Sequence, residues 1–259
     1  MLYLRSIVEI NRKSLNKIID SKDLINQARD NLVNGDLYIV KNYLSEETCY
    51  QIREYLSNVG RNSIPNYNSI REGAPNFHRI NNLDERSHVN GAFHQFCFFP
   101  WNQDYFSLFK IFRDAYYFKN LTSNKRKDEF LGNKVENGCV ARIACQFYPK
   151  GFGKLNRHVD PVDKHQLTVP IVILSKKGLD FNSGGAYVEK KNGEKVVLDD
   201  ICSIGDVIYF NAEMPHGVLP IDPNENISWL EFKGRWMLLL AVNKVSNNTS
   251  IKDASDLEK

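Results

Sequence analysis

What the 259-residue chain lacks narrows its class before any motif is read. It has no CxxC pair and no dense cysteine framework, only the five scattered thiols of Cys49, Cys97, Cys139, Cys145 and Cys202. A sparse, odd set excludes a disulfide scaffold and fits a reducing compartment, each thiol acting as a small apolar group. No uninterrupted apolar run approaches the roughly 20 residues needed to span a bilayer. The opening MLYLRSIVEINRKSLNKIID mixes charge into its apolar positions too soon for a signal peptide, so a soluble cytoplasmic protein with no membrane partner is expected. Excess charge of one sign is missing too. The net charge is +3, and only Lys125-Arg126-Lys127 forms a basic run, which offers no groove for nucleic acid.

What remains is ordinary globular composition, 42% hydrophobic and 25% charged, in a chain long enough to bury a sizeable core. Apolar positions at helical spacing from Leu4 to Leu32 predict one or two amphipathic helices, stopped at Asn34-Gly35. The alternating DLYIVKNYL at 36–44 predicts a strand. SEETCYQIREYLSNVG predicts a helix capped by Ser45, favoured at its start by Glu46 and Glu47, and closed by Gly60. From 61 to 92 periodicity dissolves into Asn, Arg, Gly and Pro, which predicts a long functional loop carrying His78 and His88. An aromatic block runs from Phe93 to Phe118, and its segment DYFSLFKIFRDAYYF predicts a helix packed on the back of a sheet, with His94 in the core.

After Gly138, strand signals crowd together at 139–149, 155–161, 167–174, 184–190, 195–199, 206–211, 216–219 and 235–243. No helical pattern lies between them, so a sandwich or barrel is expected rather than a parallel α/β sheet. Pro170 marks a bulge or edge because it cannot donate to a ladder. The polar tail from Ser246 is expected to fray.

Candidate chemistry concentrates between 139 and 243. His158-Val-Asp160 lies in strand-like sequence, where residues i and i+2 face the same way, and His216 follows the strand-like DVIYF. Two imidazoles and one carboxylate form the facial-triad set that holds Fe(II) and leaves open positions. His-x-Asp alone is equally a surface turn, since Asp-Pro is turn chemistry. Arg235 opens RWMLLLAV and shares a face with Met237, Leu239 and Ala241. A buried arginine requires either an anion or an internal acid. Arg142 and Gln146 share the strand face of Tyr148; Gln146 is placed to line the same cavity, and Arg142 is an alternative anion contact for a cosubstrate or an acidic substrate.

Together these motifs resemble the Fe(II)/2-oxoglutarate-dependent dioxygenases, closest to the prolyl-hydroxylase-like and phytanoyl-CoA-dioxygenase-like branches. The family order is matched by Tyr148 and Gly151, His158 and Asp160, Thr168, Gly184 and Gly185, Gly205 and Asp206, His216, and Arg235. The resemblance covers about 37–58 and 139–243, while 61–138 match no named pattern. It implies a mainly β fold with flanking helices: a double-stranded β-helix (jelly-roll, cupin-like) core with N-terminal helical support. The implied organisation is one dioxygenase domain over 1–259, with a support region at 1–138 carrying substrate-facing segments, the catalytic core at 139–245 and a flexible tail at 246–259.

The same resemblance implies that His158, Asp160 and His216 hold the iron. Arg235 with Tyr148, Thr168 and Gln146 would bind 2-oxoglutarate, and ascorbate is a candidate reductant. The implied reaction hydroxylates an unactivated C–H bond of a small molecule while 2-oxoglutarate and O2 give succinate and CO2. Asp160 points to that outcome, since related halogenases carry a small residue there; desaturation or cyclisation would use the same ligands. Two alternatives stand beside it. One is a non-catalytic jelly-roll binding module. The other is a protein or peptide hydroxylase whose groove is built from 61–101 and the insertion IDPNENISWLEFK. The nucleic-acid demethylase branch carries a second arginine soon after the first, whereas Trp-Met-Leu-Leu-Leu follows Arg235 here.

Overall fold

In the computed structural model, which describes residues 1–163 and 165–259, most strands follow the alternation of their apolar residues. In chain order the elements begin with β1 (Ser6–Asn11), α1 (Arg12–Ile19), α2 (Lys22–Val33), β2 (Asp36–Lys41), α3 (Glu46–Asn62), β3 (Phe77–Asn82) and β4 (Gly91–Phe98). Then come α4 (Leu108–Ile111), α5 (Arg113–Thr122), β5 (Cys139–Pro149), β6 (Lys154–Val159), β7 (Ile171–Ile173) and β8 (Gly185–Glu189). The last are β9 (Lys195–Val197), a 3-10 turn at Leu198–Asp200, β10 (Val207–Tyr209), β11 (His216–Leu219), β12 (Gly234–Lys244) and β13 (Ser255–Asp256).

The strands form one mixed sheet in the order β1-β2-β10-β7-β12-β5-β4-β6-β11-β8-β9, with β3 also on β4 and β13 on β6. The sheet curls on itself. Leu37 and Ile39 of β2, Met237 of β12, Val188 of β8 and Val218 of β11 come from distant parts of this order yet meet in one apolar cluster. Alternation then separates two environments. Trp236, Leu238, Leu240 and Val242 of β12, with Ile143, Cys145 and Phe147 of β5, turn outward into a core shared with α1, α2, α3 and α5. Arg235, Met237 and Leu239 take the other parity and turn towards the curled interior, as the strand pattern of RWMLLLAV predicts. The mainly β, jelly-roll architecture is the expected one.

Several local expectations are corrected. The segment read as the start of a helix is β1, paired in parallel with β2. Its Val8 and Ile10 pack at period two, and its outer edge is exposed, so half of the alternation signal is absent. The sheet also recruits β3 from the presumed loop at 61–92 and β4 from the aromatic block, so it is not confined to residues after 138. The strand expected at 167–174 is only Ile171–Ile173, because Pro170 has no N–H; its carbonyl still accepts from Leu240 N at 2.9 Å. Residues after Ser246 do not simply fray: Ile251 is buried, and β13 pairs Asp256 with His158.

Gly60 does not close α3, which continues to Asn62. It is there because a Cβ would sit 2.2 Å from Phe232 Cζ, so a larger residue would push the ring out of its aromatic stack. Gly60→Ala should therefore destabilise the fold by about 1–3 kcal/mol despite the better helix propensity of alanine. A urea-unfolding midpoint at or above that of the wild type would contradict this.

Candidate functional site

His158 is the last residue but one of β6, Asp160 lies just past its end, and His216 begins β11 directly opposite His158 in the antiparallel register. One ligating atom from each of the three lies within 4.8 Å of the others. Each imidazole is anchored on its far side. His158 Nδ1 donates to Asn156 O and His216 Nδ1 to Met214 O, both at 2.8 Å. Those bonds fix the tautomer that leaves Nε2 unprotonated and aimed at the common point, the usual second layer of a histidine metal site. Burial, reinforced by the neighbouring His216, pushes the His158 pKa down to about 4. Burial alone would raise the Asp160 carboxyl, but the His216 imidazole 3.5 Å away, with His158 and the Lys119 ammonium nearby, brings it to about 2. Near neutral pH both groups are in their ligating forms.

The chamber beneath them is lined by Gln146, Tyr148, Leu155, Val169, Ile171, Phe210, Met237 and Leu239 among others. A broader surface groove passes Asn102, Lys110, Arg113 and Glu136, but among the described residues the triad is the one cluster fit for a metal.

Arg235 sits at the floor of the same face and is 0% exposed. Its Nε donates to both carboxylate oxygens of Asp199, at 2.8 and 2.9 Å. Nη1 and Nη2 are also buried, yet neither has a partner among the described residues. Of the two sequence readings of this arginine, the structure shows the internal acid, which neutralises it while leaving its two terminal nitrogens without a partner among the described residues. Gly185 leaves room for this ion pair. A Cβ on Gly185, at φ +124°, would lie 2.8 Å from Asp199 Oδ2, the oxygen that also accepts from Ala186 N.

Neither a protein-family model nor a curated protein sequence matches the chain. Solved structures do. A Pseudomonas putida prolyl-4-hydroxylase superposes with a TM-score of 0.51 at 15% identity, covering 86% of this chain and 100% of its own. A Trichoplax adhaerens prolyl hydroxylase in complex with a hypoxia inducible factor peptide gives 0.51 at 14%, covering 90% and 93%. JOX2 in complex with 2OG, Fe and JA gives 0.55 at 12%, covering 100% and 80%. The chain has the fold of the iron- and 2-oxoglutarate-dependent oxygenases.

Within this oxygenase fold, the other residues singled out from sequence are distributed as follows. Tyr148 and Gln146 line the chamber, and Tyr148 Oη donates to Gln146 Oε1 at 2.7 Å. Thr168 does not line it: Val169 and Ile171 do, and Thr168 has the opposite parity, with its buried hydroxyl unpartnered among the described residues. His78 is not in a loop at the site. It lies on the outer face of β3, 2.9 Å from His94, and stacks on Phe96. His88 is exposed and pairs with Asp253 at 3.3 Å.

Two residues near the site went unnoticed in sequence. Asp199 carries no motif. Lys119, a lone cation in the apolar face of α5, was a visible signal; it is fully buried and donates to Gln166 Oε1 and the Thr168 carbonyl. Burial, against the attraction of Asp160, brings its pKa down to about 7. No helix among the described residues is long and apolar enough to cross a membrane.

Burial also holds His78 at about 4, His94 at about 3 and His165 at about 4. An unfolded imidazole titrates near 6.5, so below that pH the unfolded chain binds protons that the folded chain refuses. Stability should be complete above pH 6.5 and fall on acidification towards 5, above the carboxylate range. Each such histidine contributes up to about 1.4 kcal/mol per pH unit. Urea-unfolding midpoints across pH 5–8 test this. His94→Phe, which keeps a ring in the stack, should flatten the acid limb, and an unchanged limb would refute the assignment.

Proposed function

We propose that this protein is an Fe(II)- and 2-oxoglutarate-dependent oxygenase that hydroxylates a C–H bond of a small molecule. One observation carries the reading: a His-Asp-His set with both imidazoles buried and locked from behind shares a curled sheet face with an arginine whose two terminal nitrogens are buried and unpaired among the described residues. The donor set suits Fe(II), with two neutral nitrogens and one carboxylate leaving positions for further ligands. When bound, iron and 2-oxoglutarate supply the oxidising power for C–H cleavage, with succinate and CO2 as co-products.

The chain's own groups supply the rest. His158, Asp160 and His216 hold the metal, with Asp160 contributing the negative charge. Arg235 receives the far carboxylate of 2-oxoglutarate through Nη1 and Nη2, and Asp199 holds the guanidinium plane by its Nε so that the fork is pre-set. Tyr148 and Gln146, joined by their hydrogen bond, form the polar side of the cosubstrate chamber. Val169, Ile171, Met237 and Leu239 exclude water from it. The mostly apolar, enclosed wall favours a compact substrate over a broad macromolecular surface.

Anaerobic titration with Fe(II) and 2-oxoglutarate tests the proposal. A stoichiometric visible charge-transfer band, followed by succinate release when oxygen is admitted with a metabolite pool, is the expected result. A protein that binds neither component is a non-catalytic jelly-roll module.

A further inference from the structure

The inner face that carries Gln146 also carries two arginines that the reading above does not use. β3, β4 and β5 pair so that Arg79 lies across from Gln95, and Gln95 across from Gln146 of the chamber wall. Cys97 lies across from Ala144, and the next inward residue of β5 is Arg142, opposite Ala241. Side chains on directly paired residues share one face of a sheet, so Arg79 and Arg142 stand on the sheet face that Gln146 carries to the triad's chamber. Arg235 and Arg142 stand at opposite ends of that face. Between Tyr148 and Arg142 are six residue steps, roughly 20 Å of strand.

Neither arginine has an acid partner among the described residues. Arg79 Nε and Arg142 Nε are both buried with no hydrogen-bond partner. Arg142 Nη1 approaches only Cys97 Sγ, at 3.9 Å, and burial raises that thiol's pKa, keeping it neutral. Asp84, which reaches Arg79 electrostatically, is already held by Arg86 at 2.9 and 2.6 Å. Arg79 otherwise only covers the Tyr67 ring, 5.6 Å from its centroid. Between them, Gln95 is 2% exposed and its Oε1 has no partner. Burial and the Arg142 charge both lower the Arg79 pKa, two penalties that a bound anion would offset. A guanidinium cannot shed its proton, so two half-buried guanidiniums set near each other, each with its buried Nε unpaired, favour a ligand that brings a counter-charge.

We propose that Arg79 and Arg142 form the substrate's anion subsite, so that the molecule oxidised at the triad carries a carboxylate or phosphate at one end and presents its C–H bond from the other. This rests on the oxygenase reading and narrows its substrate class. Arg142 lies four steps along β5 from Gln146, so the oxidised carbon is several bonds from the anionic group. The neutral Cys97 and the half-buried Phe77 form the apolar wall between the two ends.

The test uses the full chain loaded with redox-silent Zn(II) and 2-oxoglutarate, titrated with inorganic phosphate, 3-phenylpropionate and the neutral 3-phenylpropionamide. Saturable binding of at least one anion and none of the amide is expected. Arg79→Gln and Arg142→Gln should each weaken that binding at least tenfold, the lysine variants less, with 2-oxoglutarate affinity unchanged as the control for folding. Preference for phosphate or for the carboxylate identifies the group carried. The proposal is overturned if the wild type binds neither anion, if the amide binds equally, if the variants bind like the wild type, or if Arg142→Gln instead costs 2-oxoglutarate affinity. Failure of the wild type to take up Zn(II) and 2-oxoglutarate at all would sink the oxygenase reading itself, a separate outcome.

Discussion

His158→Ala is expected to reduce 2-oxoglutarate-dependent succinate release to background by removing Fe(II) binding. The remaining pair, Asp160 and His216, offers two ligands. No other described histidine, cysteine or acid lies close enough to complete the set. Loss of an outer-layer partner of a metal ligand typically costs 10–100-fold in affinity, and loss of the ligand itself should exceed about 100-fold. The effect belongs to the site and not to the fold, because His158 lies at the end of a six-residue strand whose pairing is made by backbone. Equilibrium dialysis of Fe(II) or Mn(II), with far-ultraviolet dichroism as the folding control, gives the answer. Retention of wild-type metal affinity would remove His158 from the ligand set.

Arg235→Ala should have two separable consequences. The first is a loss of 2-oxoglutarate affinity of about 100-fold, the worth of roughly 3 kcal/mol of charge-assisted, two-pronged hydrogen bonding. The second is a loss of stability of about 3–5 kcal/mol, because Asp199, with its side chain 1% exposed, would be left as an uncompensated buried charge. The double variant Arg235→Ala/Asp199→Asn separates them. It should recover most of the stability while 2-oxoglutarate binding stays weak. Recovery of both together would mean that Arg235 serves only the ion pair. Isothermal titration of 2-oxoglutarate beside urea unfolding of the three proteins makes the comparison.

Which parts of this architecture could be read in advance follows from the range of each signal. β5 and β12 were legible to within a residue because every second side chain enters the helical core and every other one faces the chamber. β3 was illegible for a related reason. Its inward residues are Phe77, Arg79 and Asn81, and a strand lining a polar cleft loses the apolar alternation that marks a strand. β1 was misread because an exposed edge carries only half of its signal. Gly60 has the sequence look of a stop but is a close approach, a fact that depends on Phe232 arriving from the far end of the chain.

The site divides the same way. The residue types of the triad, their order and the i, i+2 spacing of His158 and Asp160 are local facts, and they were enough to single out three residues that the structure brings together. That His216 would lie opposite His158 is decided by the pairing of β11 with β6, which no local pattern encodes. Asp199 is silent in sequence because an acid's partner is chosen in space, and Thr168 fits the family order because that order records neighbours in sequence and not the parity of a side chain.

Chain chemistry alone pointed to a β-rich protein, a candidate facial-triad set and one arginine in need of an anion or an internal acid. These properties live in composition and short-range periodicity, where neighbouring residues constrain one another directly. Folding decided how many nitrogens of Arg235 remain open, which side chains wall the chamber, and that Arg79 and Arg142 come to stand on one sheet face. Those outcomes depend on the curl and register of a sheet that brings together residues far apart in the chain, and no short window of sequence contains them.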